Sequence, residues 1–312
     1  MTKASQVYEP SNTGLIQAVI ACVFWGTMPI YFKALQSVGS IEVVAHRIVW
    51  SVPLLLIILY FRKNISGLLQ SLAEPKLRRL LLLSSVLIAA NWLIYVWAVH
   101  ESHILAASLG YFISPLLSVF MGRIFLKEAL SRNQWAAIFI AAAGVSVLAA
   151  QAIDTLWISL ILAGSWSSYA LVRKVAVVGP MVGLTIETGL LFLPFAAFLM
   201  WAEWGAAPIA GAVHFGDRIP IDVLLIGGAV VTAIPLMLFA AAVKKMKLST
   251  LGLLQYIAPT MQFFTGIFIY DEKLTTSHII CFALIWVSLA IFSCDAIKAS
   301  SRQRANITPA AL

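Results

Sequence analysis

The run SLGYFISPLLSVFMGRIFLKEALSRNQWAAIFIAAAGV, residues 108–145, decides the architecture. Two long apolar segments are parted by one charged knot, KEALS at 127–131. About 20 apolar residues wound as a helix cross a hydrocarbon core roughly 30 Å thick. The run therefore reads as one span ending, a tight turn, and the next span beginning. Ser131 stands where a side-chain oxygen can accept from the first free amides of the second helix, and Thr275 stands likewise in the related stretch DEKLT at 271–275. Working outward, apolar blocks at 14–35, 41–61, 80–99, 104–126, 133–150, 156–175, 181–201, 221–243, 249–270 and 276–296 predict ten transmembrane helices.

Composition agrees. Of 312 residues, 61% are hydrophobic and 11% charged, against about 25% charged in a soluble domain. Lipid offers the backbone no hydrogen-bond partner, so open-edged segments must be helical, and an all-α integral membrane protein follows. The net charge of +8 invites nucleic acid, but the Lys and Arg residues lie scattered between apolar blocks and form no basic stripe, so no nucleic-acid partner is expected. Cys22, Cys281 and Cys294 sit inside apolar blocks without metal-ligand spacing, and no metal or cofactor is expected. The first block is too long for a secretory signal and lacks an A-x-A cleavage site. Cytoplasmic loops carry an excess of Lys and Arg. Placing Arg62, Lys63, Lys76, Arg78, Arg79, Arg123, Lys127, Arg132, Arg173, Lys174, Lys244, Lys245 and Lys247 on that side puts both termini in the cytoplasm.

The halves repeat weakly. Trp25 and Lys33 align with Trp166 and Lys174, while Pro115 and Glu128 align with Pro259 and Glu272. Both glutamates read as turn residues. The organisation is a cytoplasmic segment 1–13, a five-helix repeat 14–150, a second repeat 151–296 and a disordered cytoplasmic tail 297–312. Five spans is an odd number, so the second repeat is inverted, an arrangement that puts a substrate site near the bilayer midplane between the halves.

Matched polar stripes mark that site. Ser108, Tyr111, Pro115, Ser118 and Gly122 share one face of the fourth span, and Gly252, Gln255, Pro259, Gln262 and Gly266 one face of the ninth. Tight packing competes as an explanation for the glycines. The third and eighth spans add Ile88, Asn91, Tyr95 and Ala98 against Thr232, Pro235, Phe239 and Ala242. Asn91 needs a partner at mid-membrane, either in a cavity or across a helix interface. Pro115, Pro235 and Pro259 each remove a donor deep in a span and read as hinges beside a cavity. Trp25 and Trp166 lie midway along their spans, away from the interfacial belts. Of the ionisable residues inside spans, His46 and Arg47 lie about 9 Å into the second and Glu187 about 9 Å into the seventh. They read as a proton-coupling set or a buried ion pair.

The runs 108–145, GSWSSYALVRK at 164–174 and LLQYIAPT at 253–260 together resemble the RarD group in the EamA branch of the drug/metabolite transporter superfamily. The resemblance spans nearly the whole chain. It implies ten helices, cytoplasmic termini, a bacterial inner membrane, alternating access, export, and a cavity lined by the first, third, fourth, sixth, eighth and ninth spans. The group's name carries a link to chloramphenicol sensitivity. Small multidrug exporters of the superfamily keep a glutamate in their first helix, and the first span here has no acid.

The reading is a secondary transporter of small amphipathic or zwitterionic metabolites, such as amino acids or drugs. The residues expected to bind substrate are Trp25, Asn91, Tyr95, Ser108, Tyr111, Trp166, Tyr169, Gln255 and Tyr256, which offer apolar contact with a few oriented hydrogen bonds. Its partners are that substrate, the bilayer and, for a homodimer, a second copy. A facilitator or exchanger without proton coupling is the alternative. A membrane enzyme would need clustered catalytic side chains, a channel would need a filter, and an ATP-driven pump would need a Walker A sequence. None stands out.

Overall fold

The computed structural model describes residues 12–101, 103–150, 153–203, 214–270 and 275–307, and every regular element among them is a helix. The chain opens with α1 (Asn12–Ala34), α2 (Ser40–Phe61) and a short α3 (Ile65–Ala73). Then come α4 (Pro75–His100), α5 (Ile104–Phe125) and α6 (Arg132–Ala149). After a single 3-10 turn at Ile153–Thr155 follow α7 (Leu156–Val175), α8 (Pro180–Glu203) and α9 (Ile219–Lys245). Last are α10 (Leu248–Leu254), α11 (Ile257–Tyr270) and α12 (Thr276–Ile307). Eight of the described helices are long and apolar enough to cross a membrane, namely α1, α2, α4, α5, α7, α8, α9 and α12. Asp271, Glu272, Lys273, the first eleven residues and most of the loop after α8 lie outside the described residues.

Large apolar side chains point outward along these helices, among them Ile57, Phe61, Phe139, Leu193 and Phe268. Water would penalise such a surface, whereas lipid solvates it. The interior combines an apolar core with small residues where helices approach closely. Gly14 of α1 abuts Lys245 of α9, Gly26 abuts Met261 of α11, and Gly110 of α5 meets Leu162 of α7. α1 packs on α9 and α11, α5 on α7 and α10, α2 on α8 and α9, α4 on α7 and α8, and α6 on α12.

Three local outcomes differ from the sequence reading. The basic loop after α2 contains α3, where Ile65, Leu68, Leu69 and Leu72 follow helical spacing; all but Leu68 are exposed. It is an amphipathic helix of the kind that lies in a membrane interface. The ninth span is broken into α10 and α11 at Gln255 and Tyr256. Pro259 cannot donate to the Gln255 carbonyl and disfavours helical backbone at Ala258, so a tighter turn forms with Ala258 N donating to Gln255 O at 3.2 Å. Finally, α12 continues to Ile307, through residues 297–307 that the sequence assigns to a disordered tail.

The expected caps form. Ser131 Oγ accepts from Gln134 N at 3.1 Å while Gln134 Oε1 accepts from Ser131 N at 2.9 Å, a reciprocal capping box. Ser131 and Asn133 also bond Asp295, tying α6 to α12. Thr275 Oγ1 accepts from His278 N at the start of α12.

Candidate functional site

Midway along the bundle, aromatic rings from both halves meet. Trp25 of α1 and Trp166 of α7 stand edge to face with centroids 5.1 Å apart. Phe239 of α9 closes the cluster at 5.3 Å from Trp25 and 5.2 Å from Trp166. Trp166 Nε1 donates to Gln255 Oε1 at 2.6 Å, at the break between α10 and α11. That bond fixes the amide, and Gln255 Nε2 is left buried without a partner. Broken backbone is repaired nearby. Pro29 cannot donate to the Trp25 carbonyl, and Gln262 Nε2 takes that place at 2.9 Å. Where α5 crosses α10, a Cβ on Gly252 would lie 2.7 Å from Pro115 O, so only glycine permits the approach. Tyr256 OH donates to Phe112 O there, and Ser167 Oγ to Ser114 O.

A second constellation lies nearer one end. Arg47 of α2 donates from Nε to Thr232 Oγ1 of α9 at 2.8 Å. Its guanidinium carbon sits 5.4 Å from the Phe32 ring of α1 and 5.5 Å from the Trp92 ring of α4, favourable placements for a cation over aromatic faces. Tyr31, Tyr95 and Tyr111 lie within electrostatic range of it. The rings of Tyr95 and Tyr111 are 5.7 Å apart. Gly228 makes room, since a Cβ there would meet Arg47 Cγ and Tyr31 OH at 2.7 Å each.

Glu187 of α8 is paired, but not with Arg47. Arg173 of α7 approaches its Oε1 at 3.3 Å, and Tyr169 OH donates to Oε2 at 3.2 Å. Ser84 of α4 donates to Oε1 at 2.5 Å. Arg173 also donates to Pro180 O at 3.1 Å and is fully buried. The guanidinium lies over Gly183, where a Cβ would be only 1.9 Å away. The sequence counts Arg173 among the cytoplasmic-side charges at the end of the sixth span; in the structure it lies within α7 with its side chain buried against Glu187, which stands one turn beyond Gly183 on α8. His46 is separate as well. It accepts from Trp50 Nε1 at 3.2 Å, stacks on Phe215 at 4.8 Å and lies 3.9 Å from Glu42, whose carboxylate accepts from His214 N at 2.7 Å. The three ionisable residues thus occupy three sites.

At one end of the bundle α7 and α9 are tied together. Lys174 Nζ, near the end of α7, donates to Val243 O and Met246 O at the end of α9. Lys244 Nζ, near the end of α9, donates to Lys174 O and Ala176 O at the end of α7. Each lysine satisfies carbonyls that the other helix leaves open, where a cation is also favoured by the helix dipole. Glu128, read as a turn residue, accepts from Leu248 N, Ser249 N and Ser249 Oγ and so caps α10. Lys245 Nζ donates to Gln17 Oε1 of α1.

Of the residues expected to bind substrate, Trp25, Trp166 and Gln255 come together, and Tyr95 with Tyr111 flank Arg47. Ser108 is exposed one turn from Tyr111. Three are hydrogen-bonded within the bundle. Asn91 Nδ2 donates to Leu162 O and Ser165 Oγ across the α4–α7 interface, Tyr256 bonds α5, and Tyr169 bonds Glu187. Pro115 marks the α5–α10 crossing and Pro259 the helix break, while Pro235 is buried within α9.

Residues 12–150 match the EamA-like transporter family. The chain is 39% identical to protein RarD of Escherichia coli over 94% of its own length and 98% of that protein. It is 38% identical to an uncharacterized transporter of Vibrio cholerae over 95% and 97% respectively. A solved crystal structure shares the fold at a TM-score of 0.70 and 17% identity, covering 91% of this chain and 97% of that one.

Proposed function

The chain belongs to the RarD group of the EamA-like transporters, and from that membership we propose a ten-helix secondary transporter that exports small amphipathic or zwitterionic metabolites by alternating access. Transport across a bacterial inner membrane follows from the family itself. The observation that carries the rest is the Trp25–Trp166–Phe239–Gln255 cluster, assembled at mid-depth from both halves of the chain beside a broken helix. Discontinuous helices at the midplane are a recurrent substrate site in secondary transporters.

Packing supports two inverted repeats. Exchanging α1 with α7, α2 with α8, α4 with α9, α5 with α10–α11 and α6 with α12 carries α1–α9 onto α7–α4, α2–α9 onto α8–α4 and α5–α7 onto α11–α1. The pairs α2–α8, α6–α12 and α5–α10 map onto themselves. The lysine ties sit at the end carrying Arg62, Lys63 and Arg78, the cytoplasmic end by the charge rule. The arrangement therefore reads as closed toward the cytoplasm. Glu187, neutralised by Arg173, fits a structural ion pair.

Two measurements check this. In proteoliposomes, Gln255→Ala and Trp166→Phe lower substrate flux roughly tenfold or more while membrane expression stays near wild type, because losing a charge-free hydrogen bond at a buried site costs about 1–3 kcal/mol. Normal flux in both variants moves the substrate site elsewhere. For topology, a background lacking Cys22, Cys281 and Cys294 carries Ser37→Cys or Lys76→Cys, both at exposed positions. An impermeant thiol reagent added to intact cells labels the first and spares the second. Labelling of Lys76→Cys from outside overturns the orientation.

A further inference from the structure

We propose that Arg47 anchors a carboxylate of the transported molecule, making this a carrier of monoanionic or zwitterionic organic carboxylates with an aromatic or aliphatic body. The inference rests on the transporter reading above and deepens it. Arg47 is hemmed in by α1, α4 and α9 through Phe32, Trp92 and Thr232, so its residual exposure faces the interior of the bundle and not lipid. A cation placed within a membrane bundle is costly and is normally paired. Among the described residues, none forms an ion pair with Arg47, and its Nη1 and Nη2 donate to none of them. Neither nitrogen is sealed off.

Arg173 supplies the contrast. The same residue type, one helix bundle layer away, has a glutamate, a backbone carbonyl and no exposure. The chain neutralises one buried guanidinium and leaves the other offering a planar pair of N–H groups. That fork matches a carboxylate in bidentate geometry.

Helix spacing gives the ligand a length. Phe32 and Thr232 touch Arg47, and Trp25 and Phe239 lie seven residues deeper along the same two helices, which is about 10 Å. A carboxylate held at Arg47 therefore places an apolar body of that length against Trp25, Trp166 and Phe239. At the far end the orphan Gln255 Nε2 is a donor awaiting an acceptor. A single guanidinium ringed by phenols and aromatic faces suits one negative charge and suits a phosphate dianion poorly.

The test uses purified full-length protein and matched probes: 4-phenylbutyrate against 4-phenylbutyramide, and L-tryptophan against L-tryptophanamide. Bound ligand raises the thermal midpoint, and tryptophan quenching by the phenylbutyrate pair gives an independent affinity. Wild type responds to the acids at least tenfold more strongly than to the amides. Arg47→Gln loses that preference, and Arg47→Lys, which keeps the charge without the fork, retains part of it. Monodispersity on size exclusion verifies that each variant is folded. Equal response to acid and amide in wild type, no response to either acid, or an undiminished preference in Arg47→Gln overturns the proposal. Flux of any neutral or amine probe through wild-type proteoliposomes preserves the transporter reading in each of those cases, so the two failures are distinct.

Discussion

Replacing Arg173 by methionine is expected to lower the thermal midpoint of the detergent-purified protein sharply and to deplete it from the membrane. Glu187 would then remain almost wholly buried with only Ser84 and Tyr169 as donors. Removing one member of a buried pair typically costs about 3–5 kcal/mol, because the surviving charge has neither water nor a counter-ion. The double variant Arg173→Met with Glu187→Leu should recover much of the loss, since two apolar residues of similar volume need no desolvation. Thermal midpoints of the two single variants and the double variant decide the matter. Additive losses would mean the two side chains act independently and the pair is not what holds α7 to α8.

Gly252→Ala is expected to lower the folded yield strongly. Its Cβ would lie 2.7 Å from Pro115 O and 3.1 Å from Ser118 Cβ. The first is a backbone oxygen and cannot swing aside, so α5 and α10 must separate along their whole crossing. Overpacking of this kind costs about 1–3 kcal/mol or more. Gly189→Ala, with nothing within 4 Å of the added carbon, is the matched control and should be neutral. Folded yield on size exclusion reads the difference. Equal yields would mean that the crossing is loose.

Much of the architecture was legible because lipid imposes a coarse rule: an apolar block near 20 residues must be a helix. The same rule hides finer detail. α10 and α11 read as one block because both are apolar, although Pro259 carried the warning of a break. α3 escaped because its i, i+3, i+4, i+7 leucine pattern is too short to resemble a span, yet that spacing was present from Ile65 to Leu72. Trp25, Trp166 and Gln255, which the structure brings together, are singled out by mid-span position and polarity, properties of one helix. Which cation meets Glu187 is a property of two helices. A count of loop charges assigned Arg173 to the cytoplasm, and only the combination of Gly183 and Glu187 on one face hinted otherwise. Asn91 and Tyr256 show that a polar group at mid-depth can satisfy a neighbouring carbonyl as readily as a ligand.

The reciprocal lysine caps on α7 and α9 differ in kind from the Arg173–Glu187 pair nearby. Both ammonium groups sit at helix ends, near the edge of the bundle, where separation would admit water. Each bond given up there is replaced by one to solvent, leaving a net loss of about 1.5–3 kcal/mol apiece for a charged donor. The four bonds also bridge the same two helix ends, so they must part together. In the alternating-access reading proposed above, such a fastening is one that can be undone and remade without unfolding its surroundings. The dry ion pair next to it has no such exchange available, and so behaves as a rivet beside a latch.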